Sequence, residues 1–114
     1  MRVDDREIEY DEADQPTFQG LPFTGTVVEH YRDGRVATET DFRDGLRHGW
    51  SRIYYPDGTL KQEREYIEGS REGQSRFWYP SGQLQSAAIF GSEPYPNTLL
   101  QYREWDEEGN EKIS

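Results

Sequence analysis

Gly49–Gly73, GWSRIYYPDGTLKQEREYIEGSREG, is the stretch whose reading decides the fold. It opens on glycine, runs through Trp50, Ile53, Tyr54 and Tyr55, turns at Pro56-Asp57-Gly58 and returns through Leu60 and Tyr66 to Gly69 and Gly73. Shifted back by 24 residues it lands on Gly25, Tyr31, Asp33, Gly34, Val36, Phe42 and Gly45. Shifted forward by 24 it lands on Gly73, Tyr79, Gly82, Leu84 and Phe90. A fixed period of this length is the mark of a repeat architecture. Inside one unit the pattern is a β-hairpin. Pro56 pre-sets the φ of a type I turn, and Gly58 is free to take the positive φ that closes it with a bulge. Arg32-Asp33-Gly34 and Pro80-Ser81-Gly82 repeat that chemistry, while Gly45 and Gly69 link one hairpin to the next.

The expected fold is therefore all-β. It is an elongated single-sheet antiparallel meander of about three 24-residue hairpin repeats with atypical terminal caps. Residues 1–24 form an acidic cap with a degenerate repeat, in which Phe18 and Gly20 stand where Phe42 and Gly45 stand later. Residues 25–92 carry the three hairpins, and residues 93–114 a Pro-containing loop and a capping hairpin, all one structural domain. No segment shows a helical period. Apolar residues make up 32% of the chain, too few for a thick two-layer core, and Tyr, Trp and Phe must supply the buried area.

Charge is unevenly placed. The net charge is −10, yet residues 25–92 hold ten acids against nine bases, so the excess lies at the ends. An acidic chain is poorly suited to a phosphate backbone or an anionic membrane and better suited to a basic partner. There is no cysteine, which fits a reducing compartment. No apolar run reaches the length of a membrane span, and the N-terminus does not read as a signal peptide; the expected location is cytoplasmic.

Period two assigns the side chains to faces. Trp50, Arg52, Tyr54, Leu60, Gln62, Arg64 and Tyr66 are expected on the packed face. The opposite face is expected to carry Tyr31, Glu39, Asp41, Tyr55, Glu63, Glu65 and Tyr79, aromatics flanked by carboxylates, which are the candidate partner-binding residues. The plainer reading of Tyr31, Tyr55 and Tyr79 is a ladder that holds neighbouring hairpins together. His30 reads as a packed ring and His48 as a solvated one, in separate units, so no metal site is expected. Without cysteine, a nucleophile–base pair or a phosphate loop, no catalytic residue and no cofactor is expected either.

The unit G-x-x-x-x-[aromatic]-Y-x-[DS]-G-x-[VL], followed by [FY]-x-x-G in the first two copies, resembles the variant MORN repeat. Such arrays occur in the bacterial antitoxin or immunity-protein family of YwqK type. Leu21-Pro22-Phe23-Thr24-Gly25 and Glu104-Trp105-Asp106-Glu107-Glu108-Gly109-Asn110 are similar to that family's entry and exit segments. The resemblance implies a non-catalytic protein that binds and neutralises a cognate toxin, basic and encoded nearby. The alternative is a ligand-binding or scaffolding repeat module for cell-wall glycan or a membrane-associated assembly.

Overall fold

The computed structural model describes residues 1–113. Its main sheet has nine strands. The first is β1 (Arg2–Asp4), at one edge and parallel to β5 (Gly25–His30). An antiparallel meander follows through β6 (Val36–Arg43), β7 (Leu46–Tyr54), β8 (Leu60–Ile67), β9 (Ser70–Trp78), β10 (Leu84–Phe90), β11 (Leu99–Trp105) and β12 (Glu111–Lys112). A second, three-stranded sheet is made by β2 (Glu9–Tyr10), β3 (Pro16–Phe18) and β4 (Leu21–Pro22). Eight strand spacings of about 4.8 Å span about 38 Å, which accounts for one long dimension of a slab measuring 49 × 42 × 21 Å. The array is thus broad as well as long. The only helix among the described residues is one 3₁₀ turn, Asp5–Glu7, and no helix is long and apolar enough to cross a membrane.

The hairpin turns form as the repeated chemistry requires. The N–H groups of Gly34, Gly58 and Gly82 donate to the carbonyls of Tyr31, Tyr55 and Tyr79 at 2.9 Å each. These glycines sit at φ of 92°, 94° and 92°, which a side chain would strain. Gly109 repeats the geometry in a fourth turn, donating to Asp106. In the turn at 56–58, Asp57 Oδ1 accepts the N–H of Thr59 at 2.9 Å and its hydroxyl at 2.7 Å. Those bonds, the N–H first, hold the Asp57 carboxyl below its ordinary value. A depressed carboxylate pKa adds stability above the unfolded-state value, and that stability is lost as pH falls through the folded one. Asp57→Asn keeps an acceptor for the turn, so only a small loss is expected at neutral pH. Melting temperature followed from pH 7 downwards should fall less steeply in this variant than in the wild type.

Each hairpin also carries a bulge. The register passes from Ile53↔Gln62 to Tyr54↔Leu60, leaving Lys61 unopposed. Ala37 and Gln85 are skipped in the same way in the first and third hairpins. A one-residue slip moves every later side chain to the other face, and this corrects the period-two assignment. Trp50, Arg52 and Tyr54 share their face with Leu60, Glu63 and Glu65, whereas Gln62, Arg64 and Tyr66 lie with Ser51 and Ile53 on the other.

The best-buried cluster lies where the N-terminal segment meets the first hairpin. Val3, Ile8, Phe23 and Val27 are buried together, with Phe18 and Phe42 packed against them. Phe23 is 2% exposed and meets the rings of Phe18 and Phe42 edge-on, at 6.2 and 6.4 Å between centroids. Its backbone is tied to both layers, the N–H donating to Pro16 and the carbonyl accepting from Gly45. The N-terminal segment thus closes one face of the first hairpin, which would otherwise expose Val27 and Phe42 to water.

Candidate functional site

Glu39, Arg52, Glu63 and Arg76 stand opposite one another in turn across four strands, β6 to β9. Glu63, with a side chain only 14% exposed, accepts from Arg52 Nε at 3.3 Å and Arg76 Nη1 at 3.1 Å. Glu39 accepts from the Tyr54 hydroxyl and the Arg2 guanidinium. Burial acts to raise the Glu39 carboxyl, but these partners outweigh it and leave the pKa lowered. Burial and the Glu39 carboxylate push the Tyr54 hydroxyl up to about 12. This is a charge ladder along the face that bears Trp50 and Tyr54.

Asp41 and Glu65 do a different job. Between Thr40↔Ser51 and Phe42↔Arg47, Asp41 alone faces the three residues 48–50. Between Arg64↔Ser75 and Tyr66↔Arg71, Glu65 alone faces residues 72–74. Such bulges take backbone N–H groups out of the strand ladder, and here the carboxylates accept them. Asp41 Oδ2 takes the N–H of Trp50 at 3.1 Å, and Glu65 Oε1 takes that of Gln74 at 2.9 Å. Asp41 Oδ1 also accepts from the Thr26 hydroxyl at 2.7 Å.

The three tyrosines form a ladder between hairpins. The hydroxyls of Tyr31, Tyr55 and Tyr79 donate to the main-chain carbonyls of Tyr54, Trp78 and Trp105, at 2.5, 2.6 and 2.8 Å. All seven sequence-predicted site residues therefore already spend polar atoms on the fold. The histidines differ from expectation. His30 is exposed rather than packed, with Nδ1 3.0 Å from Asp4 Oδ2. His48 is half-buried, and its Nδ1 accepts the Glu68 N–H at 3.2 Å. Among the described residues no group of three or more His, Cys, Asp or Glu is placed to hold a metal ion.

Sequence reasoning missed the opposite face. There Arg47, Arg64 and Arg71 lie over the rings of Tyr66, Phe77 and Phe90, with the guanidinium carbon 5.3, 5.1 and 4.8 Å from the centroids. None of the three meets a carboxylate within 4.0 Å among the described residues, whereas Arg2, Arg52, Arg76 and Arg103 on the other face all do. A net charge of −10 hides this segregation, since it averages over both faces and the acidic ends. The only signal was the bulge, which sends Arg64 to the face away from Arg52 and Arg76.

Compared with known families, the MORN repeat variant matches residues 47–68 and 71–90. The two matches coincide with the β7–β8 and β9–β10 hairpins. These two hairpins match the MORN repeat variant, within a sheet that repeats the same hairpin turn on either side of them. No curated protein and no solved structure matches the chain.

Proposed function

We propose that this protein is a non-catalytic module that binds another protein, and that the partner adds an extended strand along β11. The open edge of the last long strand carries this reading. β12 pairs only with Glu104 and Trp105, so among the described residues the edge of β11 from Leu99 to Arg103 faces no strand. An uncovered edge presents backbone donors and acceptors and is a template for strand addition. Leu99, Leu100 and Tyr102 are 54%, 65% and 54% exposed there. Charged residues or proline usually blunt such an edge, yet Arg103 is the only charged side chain in this stretch. The resemblance to immunity proteins supports a toxin as the partner, bound and neutralised.

The test is a titration and a growth-rescue assay with the product of the neighbouring gene. Backbone amides of residues 99–103 should gain protection from hydrogen exchange on binding, and Leu100→Lys should weaken affinity about tenfold or more. Bound partner with β11 amides still exchanging freely would overturn strand addition. Loss of binding on Glu39→Gln with Glu63→Gln would place the contact instead on the face of the charge ladder. Concentration-dependent dimers lost on Leu100→Lys would make a second copy the occupant, and would also overturn the proposal.

A further inference from the structure

A cleft of about 200 Å³ lies on the arginine-bearing face, over β8 to β11. Arg64, Arg71, Ser75, Phe77, Phe90 and Tyr102 line it. Two residues of its lining carry polar atoms buried without a partner among the described residues, Arg64 Nε and Ser75 Oγ, and Ser75 is only 4% exposed. In a folded protein nearly every buried polar group is hydrogen-bonded, so an orphan asks what satisfies it. Arg64 Nε–H can only donate, and a serine hydroxyl donates readily, so the missing group is an acceptor. Arg64 and Arg71, neither paired with a carboxylate among the described residues, add a local positive field. Each guanidinium lies over a phenylalanine ring, its central carbon 5.1 and 4.8 Å from the centroids of Phe77 and Phe90, a cation–π contact that helps to hold it in place. The remaining lining is apolar, from Phe77, Phe90 and neighbouring aliphatic side chains.

We infer that this cleft binds a monocarboxylate carried on an apolar body. The orphan Arg64 Nε–H and Ser75 hydroxyl take the carboxylate oxygens, Arg71 supplies the second charge, and the Phe77–Phe90 wall takes the body. An inorganic anion such as phosphate is disfavoured, because it would leave the apolar wall of Phe77 and Phe90 uncovered. The volume equals about seven waters at about 30 Å³ each, room for one benzoate-sized group. Either a free acid or the C-terminal residue of a peptide presents that chemistry. The inference does not depend on strand addition at β11.

The experiment titrates benzoate into the ¹⁵N-labelled protein and follows the Arg64 side-chain Nε–H and the Ser75 amide. Saturable shifts at these groups are expected, absent with benzamide, which has the same shape without the charge. Arg64→Gln and Ser75→Ala should each weaken binding, the first by about tenfold or more as a charge-assisted bond is lost. Far-UV circular dichroism checks that both variants fold. Because removing a buried orphan need not harm folding, Ser75→Ala keeps the test decisive if Arg64→Gln unfolds. A peptide ending in phenylalanine is then compared as free acid and as amide: tighter binding of the acid than of benzoate identifies a chain terminus as the source, equal binding a free acid. No saturable shift, equal binding of benzamide, or unchanged affinity in both variants would show that the cleft holds only water.

Discussion

Phe23→Ala is expected to destabilise the protein by about 3–5 kcal/mol. Phe23 is the most deeply buried large side chain, and its ring is held between Phe18 and Phe42. Truncation removes the ring and leaves a cavity that Val3, Ile8 and Val27 cannot close, since Val3 and Val27 are fixed opposite each other on paired strands of the main sheet and Ile8 closes the 3₁₀ turn. For a domain with about 5–15 kcal/mol in total, such a loss is most of its stability. Urea unfolding followed by tryptophan fluorescence measures it. Trp50, Trp78 and Trp105 all lie in the array and none in the N-terminal segment. A large fall in their midpoint therefore means that cap and array melt as one unit. A fall below about 1 kcal/mol would mean that the cap melts alone, and that the buried cluster is a satellite rather than the core.

The second large effect is expected at Gly73. A Cβ there would lie 2.3 Å from Glu65 Oε1, and the backbone stands at φ 75°. Alanine must therefore accept a left-handed conformation and push away the carboxylate that satisfies the Gln74 N–H. Together these are expected to cost about 1–3 kcal/mol or more. Gly49 holds the same place one unit earlier, with Asp41 Oδ2 2.8 Å from the added carbon. Glu65→Ala removes the collision but gives up the carboxylate's bond to the Gln74 N–H. The double variant Gly73→Ala with Glu65→Ala should hence lose less than the sum of the single losses. Strict additivity in a denaturation cycle would show that the carboxylate and the glycine are independent, contrary to the bulge geometry.

The hairpins were legible in the sequence because their turns depend on local chemistry alone. Pro56, Asp57 and Gly58 fix one turn without help from any distant residue, and the period carries the solution to the other copies. Face assignment was not legible, since Lys61 looks like any strand residue and its exclusion shows only when both strands are paired. The roles of Asp41 and Glu65 were hidden for the same reason: a carboxylate eight residues before a glycine has no local meaning until the bulge brings them together. The buried cluster escaped notice because Val3, Ile8 and Phe23 come from separate short segments that share no period. The arginine face was masked by adding charges along the chain when they divide across the sheet.

The tyrosine ladder has a direction. Each hydroxyl reaches towards the C-terminus, to a carbonyl 23, 23 or 26 residues later in the chain. During synthesis a hairpin therefore emerges from the ribosome before the acceptor for its own tyrosine does. Until then that hydroxyl is hydrated, and the newest unit is always the least secured. Assembly is completed by a latch that travels with the growing end, and Tyr79 is the last to engage. Interruption of translation before Trp105 would leave two latches closed and the third open, a truncated product marked by its own chemistry.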